Sequence, residues 1–247
     1  MPLAAAAALV GASIQSATGF GFALVLSPAL FAAVDPVEAV TSLLVLGLAL
    51  NLLVLFEGGR PEHVDWRALS PMLVAALPGL AAGAVALTLL TKETLQVAVG
   101  IAVILAAGWQ LTRRIARESP DSTRALPPAA GWAAGFVSGA LTTSISVSGP
   151  PIVLWLEAHG VRPEEFRASL AASFLMLNLA GGVVLLVAEG SALEADVVLP
   201  LLGLVVAGYA LGAVAFKRLE GDRFFALALA LVACTGAASL AAGLGLL

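Results

Sequence analysis

Two stretches of the chain, residues 1–34 and 125–156, hold no charged residue, and each is broken near its middle by glycine or proline. The first break reads Thr18-Gly19-Phe20-Gly21-Phe22 and the second Ser148-Gly149-Pro150-Pro151. A membrane-crossing helix takes roughly 17–25 apolar residues, so both stretches are too long for one crossing. Non-helical backbone is tolerated at membrane depth only where protein buries it or where it lines a wet cavity. Each stretch is expected to turn at its break as a re-entrant helical hairpin, the second on the charge count given below and the first by symmetry with it, a crossing helix being the alternative for 1–34.

The composition requires lipid around the fold. The chain is 60% hydrophobic and 11% charged, where a soluble domain carries about 25% charged residues. Its uncharged stretches of spanning length are 1–34, 39–56, 68–91, 94–112, 125–156, 168–188, 197–216 and 224–247. The six besides the two broken ones fit one crossing each. An all-α polytopic membrane protein follows. The N-terminus, Met1-Pro2-Leu3-Ala4, lacks the basic region of a cleaved signal peptide, and the first segment is expected in the mature protein. Cys234, the single cysteine, reads as a small buried apolar residue.

The chain also repeats itself. A shift of 127 residues aligns Pro36 with Pro163, Glu38 with Glu165, Ser42 with Ser169 and Asn51 with Asn178. A shift of 129 aligns Pro71 with Pro200 and lays residues 79–86 over 208–215. The expected organisation is a first repeat at 1–112, with hairpin 1–34 and helices 36–56, 67–91 and 94–112. A cytoplasmic linker at 113–127 leads to a second repeat at 128–247, with hairpin 128–157 and helices 163–188, 196–216 and 222–246.

Basic residues orient this arrangement. If all eight stretches cross, the twelve Lys and Arg divide six against six, with no positive-inside bias. If 125–156 is a hairpin, Arg60, Arg67, Arg113, Arg114, Arg117, Arg124, Arg162, Arg167, Lys217, Arg218 and Arg223 share the cytoplasmic side and only Lys92 lies outside. Trp66, Trp109, Trp132 and Trp155 then fall near the cytoplasmic interface, where indoles anchor well. Each half becomes one hairpin plus three crossings, and an odd number of crossings makes the halves inverted copies. Both termini are expected outside the cytoplasm.

Two hairpin tips at mid-depth would present the positive ends of their returning half-helices to one another. Such ends bind anions without a buried cation. Polar side chains crowd both breaks: Ser13, Gln15, Ser16 and Thr18 before the first, and Thr142, Thr143, Ser144, Ser146 and Ser148 before the second. Each hydroxyl has two readings, a bond back to its own helix carbonyl or a place on a ligand path. The candidate substrate-binding residues are Thr18, Gly19, Phe20, Gly21, Phe22, Asn51, Thr142, Thr143, Ser144, Ser146, Ser148, Gly149, Pro150 and Asn178. Phe20 and Phe22 either gate the cavity or wedge the tip in place. Asn51 and Asn178 either brace the hairpins or contact substrate. By contrast, Gly79 and Gly83, Gly131, Gly135 and Gly139, and Gly208 and Gly212 are spaced four apart as helix-packing glycines.

Other chemistry lacks its residues. The two histidines, His63 and His159, fall in loop or interface segments. The sequence shows no metal-ligand spacing, no nucleophile with a base and no phosphate-binding Gly-Lys-Ser/Thr. Acidic residues at segment ends, Glu57 among them, read as solvated. Neither enzyme nor cofactor is expected, and the partners are the bilayer and a small anion rather than nucleic acid.

The Gly19-Phe20-Gly21-Phe22 run with Ser27-Pro28, the Ser148-Gly149-Pro150-Pro151 run and the duplicated half together resemble the TauE/SafE family of membrane transporters, the sulfite-exporter family. The resemblance covers essentially the whole chain. It implies secondary transport of a small sulfur-containing anion, sulfite or an organosulfonate, across the bacterial cytoplasmic membrane. A passive anion channel and a transporter of a small carboxylate are the alternatives.

Overall fold

Proline and glycine punctuate the chain, and the helices begin and end where they stand. In a computed structural model, which describes residues 1–57, 63–116, 127–159, 161, 163–190, 195–218 and 221–246, the described residues form ten helices and no strand. They are α1 Pro2–Thr18, α2 Phe22–Ala33, α3 Pro36–Leu55, α4 Trp66–Leu89 and α5 Lys92–Ala116. They continue with α6 Pro128–Ile145, α7 Gly149–Ala158, α8 Pro163–Glu189, α9 Ala195–Arg218 and α10 Gly221–Gly243. Proline opens α1, α3 and α6, a position where its missing N–H is not needed. Asp65 caps α4, its carboxylate accepting from the N–H groups of Arg67 and Ala68 at 3.1 Å.

Five helices, α3, α4, α5, α8 and α9, contain segments long and apolar enough to cross a membrane. The protein is a polytopic all-α membrane protein. The expected crossing at 222–246 falls on α10, whose side chains from 221 to 229 lie outside the described residues. Within the expected linker, 117–126 also lies outside them, while 113–116 continue α5 as helix.

Helix pairing follows the small residues. A Cβ on Gly79 or Gly83 would run into the backbone of Phe136 or Ala140, and one on Gly135 or Gly139 into that of Met72 or Ala76. Helices α4 and α6 thus interlock through four glycines, at a separation only glycine permits. Gly208 and Gly212 do the same for α9 against Leu9 and Ser13 of α1. Besides α4 with α6 and α1 with α9, α3 packs on α8 and α5 on α10. Exchanging each of the first five helices with its counterpart five places later maps this set of pairings onto itself.

Broken helices leave carbonyls without donors, and side chains from neighbouring helices supply them. Gln96 Nε2 and Lys92 Nζ donate to the carbonyls of Phe31 and Val34 at the end of α2, at 3.2 and 2.8 Å. Ser27 Oγ donates to Ile145 O at the end of α6 at 2.9 Å. Ser239, buried on α10, donates to Gln96 O at 2.9 Å. Cys234, expected to be buried, is exposed on α10. An apolar side chain on an outer helix of this composition can face lipid at no cost, so smallness did not require burial.

The four tryptophans gather at one end. Trp155 donates from Nε1 to Ala68 O at 2.7 Å, two residues past Trp66. Trp155 fills the space beside Gly131, next to Trp132. Trp109 packs on the cluster that contains Trp155. Lys92 lies beyond the far end of α4, about 36 Å away along that helix.

Candidate functional site

The first tip is built from two left-handed glycines. Gly19 ends α1 at φ +87° and Gly21 opens α2 at φ +119°, a region that side-chain-bearing residues seldom adopt. Phe20 is held between them, which explains the alternation of glycine and aromatic in the sequence. Thr18 fastens the turn, its hydroxyl donating to the carbonyls of Ile14 at 2.9 Å or Phe20 at 2.6 Å. Gln15 completes it: Oε1 accepts from the N–H of Phe22 at 3.2 Å, and Nε2 donates to Asn51 Oδ1 at 2.9 Å. Asn51 in turn donates to Gly47 O at 2.7 Å.

The second tip is built differently. Ser146 closes α6 in the left-handed region at φ +59°, the one residue other than glycine to do so among the described residues. Ser148 is the N-cap of α7, and its hydroxyl has no hydrogen-bond partner among the described residues. Gly149, Pro150 and Pro151 start the short helix.

Between the tips and the middles of α3 and α8 lies a cavity of about 40 Å³, several times the roughly 10–15 Å³ that one water needs. Eight of the fourteen candidates line it: Phe20, Gly21, Phe22, Asn51, Ser146, Ser148, Gly149 and Asn178. The other six do not. Thr18 and Gly19 lie behind the first tip, and Gly19 faces Arg167 and Leu170. Thr142 and Ser144 bond back to the carbonyls of Ser138 and Ala140 at 2.7 Å. Thr143 donates across to Leu80 O of α4 at 2.7 Å. Pro150 is in the first turn of α7 but not on the cavity wall.

Phe22 is buried and packs on Gly11, so of its two readings the geometry fits the wedge. Phe20 faces the cavity and, with Phe174, comes within 3.7 Å of a Cβ placed on Gly149. Phe174 and the lining residue Gln15 were not among the candidates. Gln15 was visible as a polar residue beside the break, whereas Phe174 carried no signal among the apolar residues of α8.

The electrostatics come from backbone. No Lys or Arg among the described residues lines the cavity. At the start of α2 the N–H groups of Ala23 and Leu24 donate to no acceptor among the described residues, and at the start of α7 the same holds for Ser148 and Gly149. All four residues line the cavity. Two helix N-termini, each with a positive macrodipole end, thus meet at one small space. Asn178 adds an amide that makes no hydrogen bond among the described residues.

One cation approaches from outside the cavity. Arg167, at the fifth position of α8, donates from Nη2 to Ser16 O at 2.6 Å and pairs through Nη1 with Glu57 Oε2 at 2.6 Å. Glu57 is thus an ion-pair partner and not simply a solvated end residue. The pairing joins positions 110 residues apart, which no local pattern announces.

The chain matches the family described as "Sulfite exporter TauE/SafE" over residues 3–239. Among curated proteins it is 30% identical over 190 residues, covering 72% of this chain and 70% of the other, to the "Probable sulfite/organosulfonate exporter TauE" of Cupriavidus necator. No solved structure matches it at a significant level. With its broken hairpins and a match that runs almost end to end, the chain belongs to the TauE/SafE sulfite exporter family.

Proposed function

We propose that the protein is a secondary transporter that carries sulfite or a small organosulfonate across the bacterial cytoplasmic membrane, without catalysis, and that the cavity between the hairpin tips is its binding site. The observation that carries this reading is that four residues whose N–H groups have no partner among the described residues, at two helix N-termini, line one space that no described cationic side chain lines. Such groups bind an anion through charge-assisted hydrogen bonds. They leave no fixed positive charge that would hold it too tightly to release. Ser148 and Asn178 extend the donor set. Donors arriving from two separate tips suit the pyramidal three-oxygen head of sulfite or a sulfonate better than a flat carboxylate. The relative's printed name points to the same substrates and to export.

The halves are read as inverted copies about an axis in the membrane plane. The exchange of packing partners between the first and last five helices supports this reading. So does the placing of all four tryptophans at the end away from Lys92. The tryptophan end is assigned to the cytoplasm.

The test is transport in proteoliposomes loaded with labelled sulfite, with and without an imposed proton gradient. Movement of sulfite against its own gradient is expected. Movement only down it would make the protein a channel, and no movement of sulfite or methanesulfonate would overturn the assignment.

A further inference from the structure

We infer that Arg167 is a second anion station, at the mouth of the path, and that Glu57 occupies it here as a stand-in for the substrate's charged head. This rests on the transport reading above and names a site outside the cavity.

Arg167 reaches three elements at once. Its Nη2 holds Ser16 O in the last turn of α1, its Nη1 holds Glu57 just past the end of α3, and its own backbone belongs to α8. Its Cγ lies 3.2 Å from where a Cβ on Gly19 would stand, so the guanidinium arm lies along the back of the first tip. Along α8, Arg167 precedes Phe174 by seven residues, about 10 Å, and Phe174 and Asn178 are both on the cavity wall. An anion leaving the tryptophan end for the cavity therefore meets Arg167 before Phe174.

Two further facts separate a station from a simple brace. Arg167 Nε is buried and makes no hydrogen bond among the described residues, and the buried Glu57 Oε2 meets it only through the ion pair with Nη1, so the guanidinium is not using all its donors. Guanidinium groups grip oxyanions with two parallel N–H bonds, and the resident carboxylate engages Nη1 alone. The pair is also partly open, with side chains 29% and 35% exposed. Glu57 can therefore swing away while an incoming sulfite takes its place on the same cation. The bond to Ser16 O couples that exchange to the tip, because Ser16 precedes Gly19 by three residues.

A brace and a station respond with different signs. In a brace, removing either partner has the same effect. In a station masked by its own carboxylate, removing the carboxylate helps the ligand and removing the cation harms it. The experiment is equilibrium binding of labelled sulfite to the full-length protein in detergent, with thermal unfolding as the folding check. Wild type binds, Glu57→Gln binds several-fold tighter, and Arg167→Lys binds about ten-fold weaker or worse. Tightening in Glu57→Gln supports the station even if substitutions at Arg167 do not fold. Unchanged or weaker binding in Glu57→Gln, with wild type binding normally, overturns it. If wild type binds neither sulfite nor methanesulfonate, the transport reading itself fails.

Discussion

Asn51 and Asn178 occupy equivalent places in the two halves of the sequence, yet the structure gives them different work. Asn51 is buried in a chain of amides, accepting from Gln15 Nε2 at 2.9 Å and donating to Gly47 O at 2.7 Å. Asn178 faces the cavity and makes no hydrogen bond among the described residues. Asn51→Leu keeps the branched heavy-atom shape but strands the Gln15 amide, which is 4% exposed. A buried polar group left unpaired costs about 1–3 kcal/mol, and Gln15 also holds the N–H of Phe22 that sets the tip. A loss of stability of that size is expected. Asn178→Ala removes no such bond and should leave unfolding nearly unchanged. If its amide donates to the bound anion, however, about 1.5–3 kcal/mol of binding disappears, roughly ten- to hundred-fold in Kd. Gly47→Ala is a third arm, because the Asn178 amide nitrogen occupies the space that the new Cβ would need. That side chain can turn aside, so Gly47→Ala should fold and bind sulfite as poorly as Asn178→Ala. Thermal unfolding and sulfite titration of the purified variants separate these outcomes. Equal losses of stability at Asn51 and Asn178, or unaltered affinity in both Asn178→Ala and Gly47→Ala, would refute the division of roles.

Three further outcomes are expected. Thr143→Val removes a bond between helices and should lower stability by about 0.6 kcal/mol with transport intact, while Ser148→Ala should weaken sulfite binding without shifting the unfolding curve. Gly149→Ala should be mild, since its Cβ would sit 3.7 Å from Phe20 and Phe174, whereas Gly149→Leu should fill the cavity and abolish uptake in proteoliposomes. An alkaline-phosphatase fusion at Leu247 should be active and one within 158–164 inactive; a fluorescent C-terminal fusion would sink the inverted arrangement.

The polytopic all-α fold was legible because lipid imposes few solutions: charge-free stretches of spanning length read as helices, and Pro36 and Pro163 marked helix starts. The α4–α6 contact was half legible. Spacing marked Gly79, Gly83, Gly135 and Gly139 as packing residues, but only the backbone contacts show which helix each one meets. What sequence could not show was choice among chemically equal groups. Asn51 and Asn178 look alike until Gln15 is found bonded to one of them. Arg167 entered the sequence reading only as one of eleven basic residues on the cytoplasmic side, and only the third dimension brings it to Glu57 and Ser16.

The hydroxyls carry the sharper lesson. Five of them within seven residues, ending at Gly-Pro-Pro, left both the back-bonding and the ligand-path reading open, and most turn out to bond carbonyls. Thr142 and Ser144 bond their own helix, and Thr143 bonds α4. A helix stopped inside lipid leaves carbonyls that water cannot reach, and each needs a donor from the protein. Ser27 on Ile145 O and Gln96 on Phe31 O serve that need. The crowded Thr142, Thr143 and Ser144 answer carbonyls inside helices, at Ser138, Leu80 and Ala140, while Ser27 answers one at the break itself. No similar supply of acceptors answers the N–H groups at the starts of α2 and α7. Gln15 takes one of them, at Phe22, and the prolines of the second tip remove two more donors from the chain. Among the described residues nothing accepts from the N–H groups of Ala23, Leu24, Ser148 and Gly149, and all four residues border the same small cavity. It is on these four donors, and not on the crowded hydroxyls, that the proposed anion site rests.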